Sequence, residues 1–215
     1  MLIDVFHDTA CPWCRIGQKN LFDALGQWKK EPVNIRWHPF FLDSSIPPEG
    51  CDFHSFMQQR KKLTTVQLQQ MFNHVRLMGE AVGVQFNFDK IRWAVNTRLS
   101  HQLIAIASTD LRNNIVEAIY QAYFEYGLNI GDVEVLVNVG KSYQMNENYL
   151  RQCLTDTYNI HMVITEAKKA HLQGINSVPC FIFNNQIMVN GSQSVNVLLR
   201  ALNRSAFIEV LAKQW

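Results

Sequence analysis

Hydrophobic and polar positions run along this chain in two rhythms, and the changes between them mark its elements. Leu2 to Phe6 is a short apolar run broken only by Asp4, as expected of a strand buried in a parallel sheet. After Thr9-Ala10 the spacing lengthens. Ile16, Leu21, Leu25 and Trp28 form a helical apolar face, and Pro12 suits the first helical position, where a missing N–H costs nothing. Glu31-Pro32 ends that helix. Val33 to Phe40 then alternates, with Val33, Ile35, Trp37 and Pro39 on one face. Strand, helix and strand in this order make the right-handed crossover unit of a parallel sheet.

From about Cys51 to Leu154 helical periodicity dominates, apart from an extended stretch at Val84 to Phe88. Thr64 caps a helix bearing Leu68, Phe72 and Val75. Two more carry Leu99 to Ile106 and Ile115 to Tyr123, the latter closed by Gly127, while Asp132 and Asn146 cap shorter ones. A helix from about Asn159 to Gln173 leads into Val178-Pro179 and a hairpin, with Cys180 to Phe183, a turn at Asn184-Asn185, and Gln186 to Val189. Ser194 to Asn203 closes as a helix. Pro179 fits an edge or turn position and not the middle of a sheet. No segment repeats another, which excludes a solenoid. The two ends therefore read βαβ and αββα, the order of an α/β, thioredoxin-like fold, with a large all-helical insertion between them. Residues 1–42 and 156–215 make the discontinuous thioredoxin-like domain, and 43–155 the helical one.

Composition narrows the class. Of 215 residues, 47% are hydrophobic and 18% charged, with thirteen Phe and five Trp, the balance of a globular domain. The net charge of +2 comes with small basic clusters only, at Arg60-Lys61-Lys62 and Lys168-Lys169, so nucleic acid is not an expected partner. No apolar stretch approaches the roughly 18 residues of a membrane span. The start reads directly as a strand, without a basic n-region or apolar h-region. The expected location is the cytoplasm, where thiols are kept reduced.

Five cysteines with one close pair do not make a disulfide scaffold. Cys51, Cys153 and Cys180 stand alone and read as isolated thiols, whereas Cys11 and Cys14 are spaced for joint chemistry. A structural zinc site would need four ligands, and there is no second such pair and no neighbouring His pair. No metal and no bound cofactor are expected. Disulfide exchange starts from a thiolate. Cys11 falls at a helix N-terminus, where the dipole and unpaired N–H groups favour negative charge. It is the nucleophile by position, and Cys14, one turn on, is the resolving thiol. Asp8 is the nearest candidate to take the Cys14 proton, against the plainer reading of a solvated loop acid.

Cys11-Pro12-Trp13-Cys14 after the first strand, with Val178-Pro179 before a hairpin, resembles the DsbA family of thioredoxin-like proteins. Asp8-Thr-Ala-Cys-Pro-Trp-Cys followed by Ile16-Gly17 is similar to its cytoplasmic FrnE-like branch, as are Asn96-Thr97 with His101 and the Asn190-Gly-Ser-Gln turn. The resemblance implies a thiol–disulfide oxidoreductase or isomerase whose Pro179 is cis and packs against the cysteines. Val178 would offer backbone hydrogen bonds to substrate, and Pro12, Trp13, Asn96 and His101 would contact it. Glutathione or a protein dithiol would be the redox partner, and a homodimer is compatible with the family. Arg15 and Ser177 depart from the family pattern, which often has Tyr and Gly there, and Val5 stands where many relatives bury a carboxylate. The alternatives are a glutathione-dependent transferase or isomerase of the kappa-class or 2-hydroxychromene-2-carboxylate type, and a chaperone-like binding protein without catalysis. Trp13 is expected beside the site, and Trp28, Trp37 and Trp93 in the core.

Overall fold

The computed structural model describes residues 1–212, with side chains for 1–208; positions 213–215 of the expected carboxy-terminal segment lie outside the described residues. Strand β1, Leu2–His7, is buried along all but its first residue. The chain turns at 8–10 and enters helix α1, Pro12–Gln27, with Cys11 as an extended N-cap and Pro12 at the first helical position. The helix stops short of Pro32, because Trp28 becomes extended and its N–H reaches back to the Leu25 carbonyl. β2, Asn34–Pro39, lies parallel to β1 with Ile3 opposite Ile35 and Val5 opposite Trp37.

A helical segment follows. β3, Cys51–Asp52, leads directly into α2, Phe53–Lys61. Thr64 then caps α3, Thr65–Glu80, through a reciprocal capping box with Gln67. Val84 to Phe88 forms no strand; it is irregular until a single 3₁₀ turn at Phe88–Lys90. β4, Trp93–Ala94, pairs antiparallel with β3. α4 (Arg98–Ile106) and α5 (Thr109–Phe124) follow. Gly127 closes α5 at φ +69°, and a Cβ there would lie 2.3 Å from the Lys90 carbonyl oxygen. Asp132 and Asn146 cap α6 (Val133–Ser142) and α7 (Glu147–Thr155) with their side chains, as the sequence predicts.

The chain returns to the sheet through α8, Thr157–Leu172. The Val178–Pro179 peptide is cis, and β5 (Cys180–Phe183) and β6 (Ile187–Asn190) make the hairpin. Asn184 and Asn185 both have positive φ, which suits the twist of a two-residue turn. α9, Val195–Ala212, runs beyond the expected end at Asn203. The sheet order is β2-β1-β5-β6, with β5 antiparallel to both neighbours. β5 is therefore an interior strand, against the edge position expected from Pro179. The ladder begins one residue later, at Cys180 opposite Phe6 and Asn190, so the missing N–H of Pro179 lies outside it.

Three apolar clusters hold these layers together. Ile3, Val5, Phe181 and Phe183 on one sheet face pack with Leu21 of α1 and Leu198 and Leu202 of α9. Phe6 and Cys180 on the other face meet Phe40 and Ala170 of α8. Burial raises the Cys180 thiol to about 11, and it packs in this cluster, apart from the one that holds Cys11 and Cys14. The helices between β2 and β5 bury the largest cluster, which also takes in Cys11, Cys14 and Ile16. Helix α1 thus presents its later turns to the sheet and its first turns to the helices. Trp28 is in the core, Trp37 is half-buried and Trp93 is 45% exposed. The two-stranded ribbon turns Trp93 outward, correcting its expected core position. Among the described residues, no helix is long and apolar enough to cross a membrane.

Candidate active site

Three backbone hydrogen bonds set the two cysteines. The Cys11 N–H donates to the Asp8 carbonyl at 3.0 Å, and the Cys14 and Arg15 N–H groups return to the Cys11 carbonyl at 3.1 and 3.3 Å. No side chain caps α1. The positive end of the helix is left facing the Cys11 position. Cys14 is buried inside the first turn, and burial, the contact with the Cys11 sulfur and the charge there hold its thiol well above the usual range; a backbone hydrogen bond from Asp8 acts the other way. Cys14 therefore keeps its proton until something removes it.

Cys11 is 3% exposed, and it is reached through a pocket of about 380 Å³ that it lines together with Pro12, Trp13 and Val178. The opposite wall comes from α2 and α3 and from the loop after β2. Trp13 is half-buried, its ring 6.0 Å from that of His74 on α3. Pro179 stands beside the pocket, against α1. A Cβ on Gly17 would come within 2.8 Å of Pro179 Cγ and 3.2 Å of Phe181 Cζ, so only glycine lets α1 approach the Val178–Pro179 loop this closely.

The loop that delivers Cys11 rests on a buried polar bed. Asp8 Oδ1 accepts from the Ala10 N–H at 3.0 Å, and Oδ2 from the Leu42 N–H at 2.7 Å; the Thr97 side chain donates a further bond. Thr9 and Ser100 share a hydroxyl hydrogen bond of 2.7 Å, and Ser100 Oγ donates to the Thr97 carbonyl. Asp8 is 3% exposed, which corrects its reading as a solvated loop acid. Burial raises its carboxyl to about 6 despite those three donors. Beneath it, His7 Nδ1 and the Tyr120 hydroxyl share a hydrogen bond of 2.8 Å. Burial and the neighbouring His101 and His38 push His7 well below the usual histidine range, so it is neutral. Tyr120 is within electrostatic reach of both cysteine sulfurs and Asp8.

Asn96 and His101 stand outside the pocket. Asn96 Nδ2 donates to the Ile46 carbonyl at 2.7 Å and its Oδ1 accepts from the Arg98 N–H, so it fastens the loop that walls the pocket. His101 is buried, its ring 5.0 Å from that of His7, and it lines a separate cavity beside β2 and α8. Burial lowers it to about 3. The Asn96–His101 segment is thus the support of the Cys11 loop, and Thr97 is its one pocket-lining member among the residues named here. Arg15, 2% exposed, joins α1 to the helices. It donates to the Gln85 carbonyl, pairs with Glu125 and lies 3.5 Å from Glu117. Among the described residues, no cluster of three His, Cys, Asp or Glu is arranged to hold a metal ion.

A family model described as DSBA-like thioredoxin domain matches residues 2–203. The chain belongs to this family. A curated relative, the uncharacterized protein YwbO of Bacillus subtilis (strain 168), is 24% identical over 204 residues, covering 94% of this chain and 95% of its own. Among solved structures, the probable DsbA oxidoreductase SCO1869 from Streptomyces coelicolor superposes with a TM-score of 0.86 at 21% identity, over 95% of this chain and 89% of that one. The cytosolic disulfide reductase DsbM from Pseudomonas aeruginosa, solved with GSH, gives 0.64 at 16% identity, over 99% and 100%. In this DSBA-like chain, the cysteines of the motif lie together, Cys11 at the pocket, and their supports, His7, Tyr120 and the pocket wall from α2 and α3, carry no motif of their own. His7 and Tyr120 are separated by 113 positions, and no local signal links them.

Proposed function

We propose that this protein is a thiol–disulfide oxidoreductase working through Cys11 and Cys14. The observation that carries the reading is the first turn of α1. Cys11 lies at the positive end of the helix on the pocket floor, and Cys14 sits protonated against its sulfur. In this account the Cys11 thiolate attacks one sulfur of a substrate disulfide, forms a mixed disulfide and releases the first thiolate. Asp8 takes the Cys14 proton. The Cys14 thiolate then attacks Cys11, forms the Cys11–Cys14 disulfide and releases the second thiol, which recovers the proton. Two electrons pass from the protein dithiol to the substrate, and glutathione or a protein dithiol restores the reduced pair. Such traffic suits a cytoplasmic setting, whose thiol pool favours the reduced state. Val178, on the pocket wall, would offer its backbone to the substrate beside the sulfur. Membership of the DSBA-like family supports this assignment, and the Cys14–Cys11 contact favours it over activation of glutathione by a lone nucleophile.

Trapping tests the assignment. With oxidised glutathione, Cys14→Ala should accumulate one glutathione adduct on Cys11 by intact and peptide mass spectrometry. The unmodified protein should pass through that adduct to the Cys11–Cys14 disulfide, and Cys11→Ser should form neither. An adduct that settles on Cys51, Cys153 or Cys180 while Cys11 stays free would end this reading.

A further inference from the structure

The walls above Cys11 say what kind of disulfide could reach it. Phe53, Phe56 and Met57 from α2, and Met71 and Val75 from α3, line the same pocket as Cys11. Thioether and aromatic side chains of this kind adapt to apolar groups of varied shape. At about 380 Å³ the space falls at the small end of small-molecule sites. Because Cys11 is 3% exposed, a reacting sulfur has to enter this space together with whatever is attached to it. The rim is basic. Arg60 is engaged by Asp43, Nε to Oδ2 at 2.8 Å, whereas Lys61, also lining the pocket, has no acidic partner among the described residues. The other lining acid, Asp8, is turned into its own hydrogen bonds on the floor.

We infer that the pocket takes a low-molecular-weight disulfide carrying an aromatic or branched apolar group near its sulfur and a carboxylate that meets Lys61. This rests on the reading of Cys11 and Cys14 as an exchanging pair. The substrate, R–S–S–R, accepts two electrons from the reduced pair and leaves as one thiolate, R–S⁻, and one thiol, R–SH, which takes the Cys14 proton by way of Asp8, while the protein takes up the disulfide. Oxidised glutathione, which carries no such apolar group, still reacts at Cys11 but more slowly than a disulfide of this kind.

Three cysteine-based disulfides of similar thiol chemistry test the inference: those of N-benzoyl-cysteine, N-acetyl-cysteine and N-benzoyl-cysteine amide. Reduced full-length protein is mixed with each in single turnover, and the second-order rate is divided by that of free dithiothreitol with the same probe. The benzoyl acid should react at least about tenfold faster than the acetyl acid, and several-fold faster than the benzoyl amide. Lys61→Gln should remove the advantage of acid over amide, and Met71→Gln should shrink the benzoyl advantage to about threefold or less. The two comparisons in unmodified protein stand even if Met71→Gln fails to fold. Equal rates for the three probes, with the Cys11–Cys14 disulfide still forming, would overturn the inference and leave the oxidoreductase reading in place. So would a disulfide-bonded unfolded polypeptide that outpaces every small probe. No Cys11–Cys14 disulfide with any probe would remove the underlying reading, and the inference with it.

Discussion

Replacing Asp8 by Asn removes one charge from beneath the cysteines while keeping the side chain's shape, and the cost of that charge can be worked out. Asp8 is 3% exposed, and burial raises its carboxyl from 3.8 to about 6. An acid whose folded value is raised binds more protons in the folded than in the unfolded state between those two values. Stability therefore falls as pH rises from about 4 to about 6, the reverse of a salt-bridged carboxylate. At 1.36 kcal/mol per pH unit, ionised Asp8 costs about 3 kcal/mol at pH 7.5 relative to the fully protonated protein. Part of that cost is already present at pH 4, where the unfolded chain is half ionised, so about 2 kcal/mol separates the two pH values. Asn cannot accept from both the Ala10 and Leu42 N–H groups, but that loss is the same at either pH. Urea unfolding of both proteins at pH 4 and pH 7.5 should show Asp8→Asn gaining about 2 kcal/mol on the parent between the lower and the higher pH. The same variant should slow resolution of a Cys11 mixed disulfide about 100-fold, measured in single turnover, if Asp8 accepts the Cys14 proton. A stability difference that does not change with pH would refute the raised carboxyl, and an unchanged resolution rate would refute its role.

Further substitutions probe the supports of the site. His101 falls from 6.5 to about 3 in the folded chain, so it contributes stability that is lost as pH drops below about 6.5. His101→Gln should spare the protein about 3 kcal/mol of the loss between pH 7.5 and pH 4, read by the same unfolding series. Gly17→Ala would place its Cβ 2.8 Å from Pro179 Cγ. It should cost about 1–3 kcal/mol, and it should also perturb Trp13 fluorescence as α1 and the Val178–Pro179 loop are pushed apart. Arg15→Leu leaves Glu125 and the Gln85 carbonyl without their buried partner. It should lower unfolding stability by about 2–3 kcal/mol, below the range for fully buried pairs because Glu125 and Glu117 keep some access to water.

Much of this arrangement was legible in the sequence wherever the signal was local. Pro12 and the apolar spacing of α1, the cap at Thr64 and the Asn184-Asn185 turn each act within a few residues, and each appears where the pattern puts it. α2 escaped notice because Phe53–Lys61 is mostly polar and buries only Phe53. The expected end of α9 at Asn203 is too early: Ser205 beyond it is fully buried, and the helix continues to Ala212. At the candidate site, the spacing of Cys11 and Cys14 suffices to place both in the first turn of α1. The substrate role of Asn96 and His101 comes from the family resemblance alone, and a motif does not say which neighbour each side chain meets: Asn96 bonds the Ile46 carbonyl and His101 packs on His7. The burial of Asp8 depends on Leu42 and Thr97, and the pocket on α2 and α3. These are tertiary facts that no window of sequence contains.

Equilibration in glutathione buffers asks whether Cys11 and Cys14 form a working redox couple. Reduced protein is brought to equilibrium across a series of reduced-to-oxidised glutathione ratios, followed by Trp13 fluorescence and acid-quenched thiol alkylation, with Cys11→Ser as the control. A working couple gives one reversible two-electron transition, assigned by peptide mapping to a Cys11–Cys14 disulfide and lost in the control. Thiols that stay free across the whole series, or a transition that persists in Cys11→Ser, would contradict it.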